Sequence, residues 1–239
     1  MNEAVNKKVR LCVFDFDGTI ANTPERPLDR KNYRGWDGRD WWGSKASLSS
    51  PHYDGNVNEE VVKAFQEAKS DPNTYTVMLT GRRGVVAPHV REVLRKNELY
   101  GRRVIGQQTQ AKFQLPNDIH PNEELPTGHE EYYVGDHTEE PDFPTVNGKK
   151  GPIKDGSTFA HKSYVVTKLV EQNGSFETVE IWDDRKDHIE MFKALAQRLL
   201  KEGKVQNFVI HQVYPPYAGA KANIVHMPIT LDTSWRSNH

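Results

Sequence analysis

The chain has almost no thiol chemistry: one cysteine, Cys12, in 239 residues. No disulfide can form within it, which fits a reducing, intracellular setting. It also lacks any apolar run near the roughly 20 residues needed to cross a bilayer, and the opening MNEAVNKKVR has no hydrophobic core of the secretory kind. A soluble cytoplasmic protein with no membrane partner is the expectation. Net charge is lacking too, since 32 Lys and Arg face 33 Asp and Glu, leaving −1. That excludes a globally basic nucleic-acid binder, although Arg82-Arg83 and Arg102-Arg103 remain local clusters able to meet phosphates. There is no internal repeat and no low-complexity tract. The length fits a single α/β domain over 1–239, and 36% hydrophobic residues suffice for its core.

The most informative stretch is LCVFDFDGTI, Leu11 to Ile20. Leu11 to Phe14 form the unbroken apolar run of a parallel strand buried on both faces. It ends in Asp15-Phe16-Asp17-Gly18-Thr19, and extended backbone through Asp17 would put both carboxylates on one side of the strand end. An Asp-Gly pair after a strand is also an ordinary turn, so the rest of the chain has to supply partners.

Ala21 to Gly55 is rich in Pro, Gly, Asp and Arg and carries Trp36, Trp41 and Trp42. It reads as a loop pinned by buried tryptophans, and because it follows the strand end it can also overhang a site as a stacking platform. A helix capped by Asn58 is predicted to about Lys69, then a buried strand over Thr74 to Leu79 ending in Thr80-Gly81-Arg82-Arg83. Another helix spans Pro88 to Lys96, and Val104-Ile105 is read as a short strand. From 106 to 156 the pattern dissolves into prolines, acids and His120, His129 and His137, which predicts either a small cap or lid insertion, centred on Tyr132-Tyr133-Val134, or a partly mobile segment. The histidines show no metal-ligand spacing. A helix starting at Thr158 or His161 places Lys162 in its first turn. The strand Thr178 to Trp182 then runs into Asp183-Asp184-Arg185, and a helix follows from Asp187 toward Gly203. Phe208 to Ile210 and Ile224-Val225 read as further strands.

Alternating strands and helices with right-handed crossovers predict an open parallel sheet, whose ligands bind where the carboxyl ends of the strands emerge. Three apolar strands end in DFDGT, TGRR and DDR, so these tips should meet in one crevice. In order and type they resemble the motifs of the haloacid dehalogenase-like (HAD) phosphatase superfamily. Within it, MLTGR, WDDR, the tryptophan-rich loop and FAHK look like the Swiss Army Knife RNA-repair-like HAD proteins and, more distantly, the 3'-phosphatase domain of phage polynucleotide kinase-phosphatases. The stretch before Lys162 departs from that family in being longer and more polar.

The resemblance implies an α/β, HAD-like Rossmannoid fold with flanking helices and a Mg²⁺-dependent phosphomonoesterase activity. Asp15 is then the nucleophile that forms an aspartyl-phosphate and Asp17 the general acid/base. Thr80 would hold a phosphoryl oxygen, and Lys162 would balance charge beside Asp15. Mg²⁺ would be held by Asp15, Asp17, Asp183 and Asp184. Gly81, Arg82, Arg185, Trp41 and Trp42 are candidates for phosphate or base contact. The implied substrate is a nucleotide or a 3'- or 5'-phosphate end of nucleic acid. Two other readings stand beside it: a non-catalytic module binding a phosphorylated ligand or nucleic-acid end, and a phosphotransferase passing the aspartyl-phosphate to an alcohol.

Overall fold

The apolar run becomes β1, Arg10–Phe14, and everything from Leu11 onward in it is buried. In the computed structural model, which describes residues 9–26, 41–99, 130–134, 156–173, 176–216 and 222–231, β1 pairs in parallel with β2 (Thr74–Arg83) on one side and β4 (Thr178–Asp183) on the other. Outward from these, β3 (Glu130–Val134) pairs with β2 and β5 (Asn207–Tyr214) with β4, again in parallel. β6 (Asn223–Ile229) closes the far edge, giving the order β3-β2-β1-β4-β5-β6. The chain builds outward from β1 through β2 to β3, then restarts on the other side of β1 with β4. β1 and β4 therefore flank the point where strand order reverses, which is where open α/β sheets form their crevice.

Side-chain alternation explains why these strands are apolar throughout. Leu11, Val13, Val77, Leu79, Val179 and Ile181 point to one face, where they pack with α3 (Gly156–Asn173) and α4 (Lys186–Lys201) through Val165, Val166, Leu169, Ile189 and Phe192. Cys12, Phe14, Met78 and Trp182 point to the other, against α1 (Glu59–Ser70) and α2 (Ala87–Lys96) through Val61, Phe65, Val90 and Leu94. The helical residues recur at three- and four-residue spacing, so each helix presents one apolar stripe. Phe14 stacks on Trp182 at 4.2 Å, tying β1 to β4. That contact adds about 1 kcal/mol beyond burial. Burial pushes the Cys12 thiol far up, leaving it an inert core side chain.

Several boundaries and one direction differ from the sequence expectation. β2 does not stop at Leu79 but continues through Thr80-Gly81-Arg82-Arg83, with an irregularity in its pairing to β3 between Leu79 and Arg83. α3 begins at Gly156, so Lys162 lies in its second turn, not its first. The sheet is not wholly parallel: Tyr214 to Asn223 leaves no room for a crossover helix, so β6 returns antiparallel to β5. Tyr132-Tyr133-Val134 belong to β3 in the main sheet, with Tyr132 in register with Leu79, and do not centre a cap. The rest of the expected 106–156 insertion up to Asp155, the strand at Val104-Ile105, Trp36 and the three histidines lie outside the described residues. Asn58 occupies the N-cap position of α1 without a side-chain cap; its backbone N–H donates to the Ile20 carbonyl instead, at 2.9 Å.

Candidate active site

Asp15 follows directly from β1, and its N–H donates to the Trp182 carbonyl at 2.9 Å, continuing the β1–β4 ladder by one step. This brings the tips of the two strands together. Lys162, from α3, reaches into the space between them: its ammonium lies 2.8 Å from Asp15 Oδ2 and 2.7 Å from Asp183 Oδ2. All three side chains are at most 6% exposed. The other oxygen of Asp15 accepts from the Phe16 N–H at 2.8 Å, so the carboxylate is held at both ends.

Charge in this pocket is unbalanced. Burial alone would discharge Lys162, but Asp15 and Asp183 outweigh it and hold the ammonium well above the ordinary lysine range. Burial likewise opposes ionisation of Asp183, yet Lys162 and His188 hold it well below the ordinary carboxylate range. Asp15 goes the other way, driven up by burial and, against the pull of Lys162, by the nearby carboxylates of Asp183, Asp184 and Asp17. Asp184 is pushed up to about 7 by burial and by Asp183. Its Oδ1 is out of solvent and has no hydrogen-bond partner among the described residues.

Asp183 is saturated by contrast. Oδ1 accepts from the Arg185 N–H at 3.0 Å, Oδ2 from Lys162, and His188 Nδ1 lies 3.2 Å from both oxygens. Asp15, Asp183 and His188 do bring ligand atoms within 4.8 Å of one another. The Lys162 ammonium is 2.7, 2.8 and 3.4 Å from those three groups, so a cation already serves them. Surplus negative charge and an orphaned oxygen point instead to the side where Asp184 meets the DFDGT loop. Gly18, at φ +68°, packs so closely on the Asp184 carboxylate that a Cβ there would overlap it. The donor set, hard carboxylate oxygens with one left unpartnered, fits a hard divalent cation such as Mg²⁺.

Asp17 is held from a different strand. Arg82 Nε lies 3.0 and 2.9 Å from its two oxygens and Nη2 lies 2.6 Å from Oδ1, with Thr23 Oγ1 donating to Oδ1 at 2.8 Å. Arg82 Nη1 donates to the Trp42 carbonyl and to Ser47 Oγ, and the side chain is 1% exposed. The expected use of Arg82 as a phosphate clasp is therefore corrected: its fork is spent on Asp17 and on the loop that covers it. Trp41 is corrected in the same way, because it is buried with its indole N–H on the Pro24 carbonyl and cannot be a stacking platform. Trp42 is half-buried with its ring 5.4 Å from the Arg82 guanidinium carbon, so it supports the arginine.

The remaining expected residues fall around this centre. Thr80 is fully buried at the DFDGT side of β2, its hydroxyl oxygen accepting from the Arg82 N–H at 3.1 Å. Gly81 backs onto α3, where a Cβ would overlap Thr158 Cγ2; its missing side chain lets the start of that helix approach. Arg185 stands at the rim, partly exposed and paired with Asp187 at 2.7 Å. His188, Ser47 and Thr23 were not singled out from the sequence. For His188 a signal existed: it lies in the first turn of the helix after WDDR, on the stripe shared with Ile189 and Phe192 that faces the sheet.

A doubly wound sheet with aspartates at the tips of β1 and β4, bridged by a helix-borne lysine, defines the HAD class of hydrolase folds. A family model described as HAD domain family 1 in Swiss Army Knife RNA repair proteins matches residues 31–220. The chain belongs to that family, which points to phosphatase-type hydrolysis as its class of activity. The match begins after β1, so it is the structure that joins Asp15 and Asp17 to the matched segments. No curated protein and no solved structure matches the chain. Among the described residues no helix is long and apolar enough to cross a membrane.

Proposed function

We propose that the chain is a Mg²⁺-dependent phosphomonoesterase acting through an aspartyl-phosphate on Asp15. The observation that carries this reading is the Lys162 ammonium spanning Asp15 and Asp183, because it fixes a buried carboxylate beside a positive charge that a phosphoryl group can share. Phosphoryl transfer asks mainly for positioning and charge neutralisation. An Asp15 oxygen forms a bond to phosphorus as the bond to the leaving oxygen breaks, and Asp17 delivers a proton to that oxygen. In the second step water attacks the same phosphorus, Asp17 takes its proton, and the bond to Asp15 breaks to release phosphate.

Arg82 grips both oxygens of Asp17 and acts on the substrate only through that proton carrier, which makes it a positioning residue. Thr80 has its oxygen occupied by the Arg82 N–H and keeps its hydroxyl proton for a phosphoryl oxygen. Arg185, paired with Asp187 but partly exposed, is the guanidinium that would exchange this partner for a further phosphate. Asp15 and Asp184, with the Asp17 main chain, would hold the cation, whereas Asp183, expected from the sequence as a further ligand, has its oxygens engaged by Lys162 and the Arg185 N–H. Mg²⁺ bound there supplies Lewis-acid neutralisation of the phosphoryl oxygens.

The family description, which names RNA repair proteins, supports a nucleotide or a terminal phosphate of nucleic acid as substrate. Phosphate release with Mg²⁺ is measured from mononucleotides and from oligonucleotides carrying 3'- or 5'-phosphates, wild type against Asp15→Asn. Release by the wild type and background release by the variant are expected. No release from any substrate by the wild type would overturn the reading.

A further inference from the structure

His188 is buried, 1% exposed, and faces the polar centre of the molecule. Its Nδ1 lies 3.2 Å from both oxygens of Asp183 and 3.4 Å from the Lys162 ammonium, and its ring sits 6.0 Å from that of Phe159 on α3. A lone pair on Nδ1 would face two carboxylate oxygens at 3.2 Å with only the longer 3.4 Å ammonium contact to offset them, so the nitrogen carries its hydrogen toward Asp183. His188 thus acts on the carboxylate from α4. Together with the Arg185 N–H it leaves Asp183 facing Lys162 in one orientation.

We propose that His188 is a positioning residue for phosphoryl transfer, holding Asp183 so that Lys162 divides its charge between Asp183 and the nucleophile Asp15. This rests on the phosphatase reading above. Asp183 and Asp15 compete for one ammonium at 2.7 and 2.8 Å. With the imidazole donor in place, part of the charge on Asp183 is satisfied elsewhere and Lys162 remains on Asp15. Without it, Asp183 has lost a donor in a site closed to water, and its remaining charge draws the ammonium away from the nucleophile. The substrate does not touch His188, so binding is unaffected while the chemical step slows.

The test compares His188→Ala, His188→Asn and His188→Gln on p-nitrophenyl phosphate with Mg²⁺. An asparagine amide places its nitrogen where the imidazole Nδ1 stands; a glutamine amide reaches one methylene too far. The expected result is a fall in kcat for His188→Ala of about tenfold or more, the usual cost of losing a partner behind an active group. KM is unchanged, and His188→Asn recovers most of the loss while His188→Gln does not. Equal kcat in wild type and a folded His188→Ala overturns the inference, as does equal impairment of all three variants in proportion to lost thermal stability. A wild type that releases no phosphate sinks the phosphatase reading itself and this inference with it. An active wild type with an indifferent His188 sinks only this one.

Discussion

Arg82 and Asp17 stand 65 residues apart in sequence and face each other across β2 and the DFDGT loop, Nη2 to Oδ1 at 2.6 Å with Nε on both oxygens. The arginine is 1% exposed and the aspartate 20%. A planar fork grips a carboxylate in a way an ammonium cannot.

Arg82→Lys therefore keeps the charge but frees the rotamer of Asp17. If Asp17 donates the proton to the leaving oxygen, the loss depends on the leaving group. Alkyl phosphate esters, whose leaving oxygen needs that proton, should lose far more activity than p-nitrophenyl phosphate. A uniform loss across leaving groups would remove Arg82 from this role.

Asp183 and Asp184 are neighbours with different tasks, and substitution separates them. Asp183→Asn breaks a buried pair with Lys162 and should cost about 3 kcal/mol of stability. Asp184→Asn removes the oxygen without a partner and should leave stability intact or raised. Its effect appears as loss of the rise in Tm that Mg²⁺ or Mn²⁺ gives the wild type. A cation-induced rise that survives Asp184→Asn contradicts the assignment.

Gly81 and Thr158 form a contact with no room for another atom. Gly81→Ala should push back the start of α3, moving Lys162 and lowering both Tm and activity. The clashing atom is Thr158 Cγ2, which serine lacks, so Thr158→Ser should restore most of the loss in the double variant. Additive effects in the double-mutant cycle would refute the contact.

Away from the site, Glu180 links β4 to β1 and β5 through Arg10 and His211. Burial opposes its ionisation, yet the hydrogen bonds from His211 and Arg10 win and hold its carboxyl down at about 2, from an ordinary value of 4.5. A carboxyl depressed in the folded state contributes stability that is full above its unfolded value and is lost as pH falls toward the folded one. Wild-type stability should thus drop between about pH 4.5 and pH 2 more steeply than that of Glu180→Gln. Parallel curves from thermal melts across that window would show that the pairing does not matter.

The strand tips were legible because each buried, apolar strand ends abruptly in polar residues, a pattern costly without partners. That pattern, with the helices between, gave the open sheet and Asp15 and Asp183 in one crevice; Lys162, on a helix, came only from the resemblance to the HAD motifs, and the buried tryptophan loop was one of two readings of its large aromatics. Arg82 was misassigned because its partner depends on β2 lying next to β1, a fact of sheet order and not of local pattern. The early start of α3 was hidden for a similar reason. Gly156, Ser157 and Thr158 are indifferent or poor helix formers, and the contact with Gly81 that accommodates Thr158 is remote in sequence. The direction of β6 follows from a short connection, which the Pro215-Pro216 pair marked without revealing which way the chain returned.

The central claim is that Asp15 carries the phosphoryl group and Asp17 handles the protons. Because p-nitrophenolate leaves without help from an acid, Asp17→Asn should still be phosphorylated by p-nitrophenyl phosphate with Mg²⁺ but should fail to activate the water that follows. Acid quenching and intact mass measurement should find this variant one phosphoryl group heavier, with peptide mapping placing the group on Asp15. Sustained turnover with no phosphorylated protein, or a phosphoryl group on any other residue, would contradict the account.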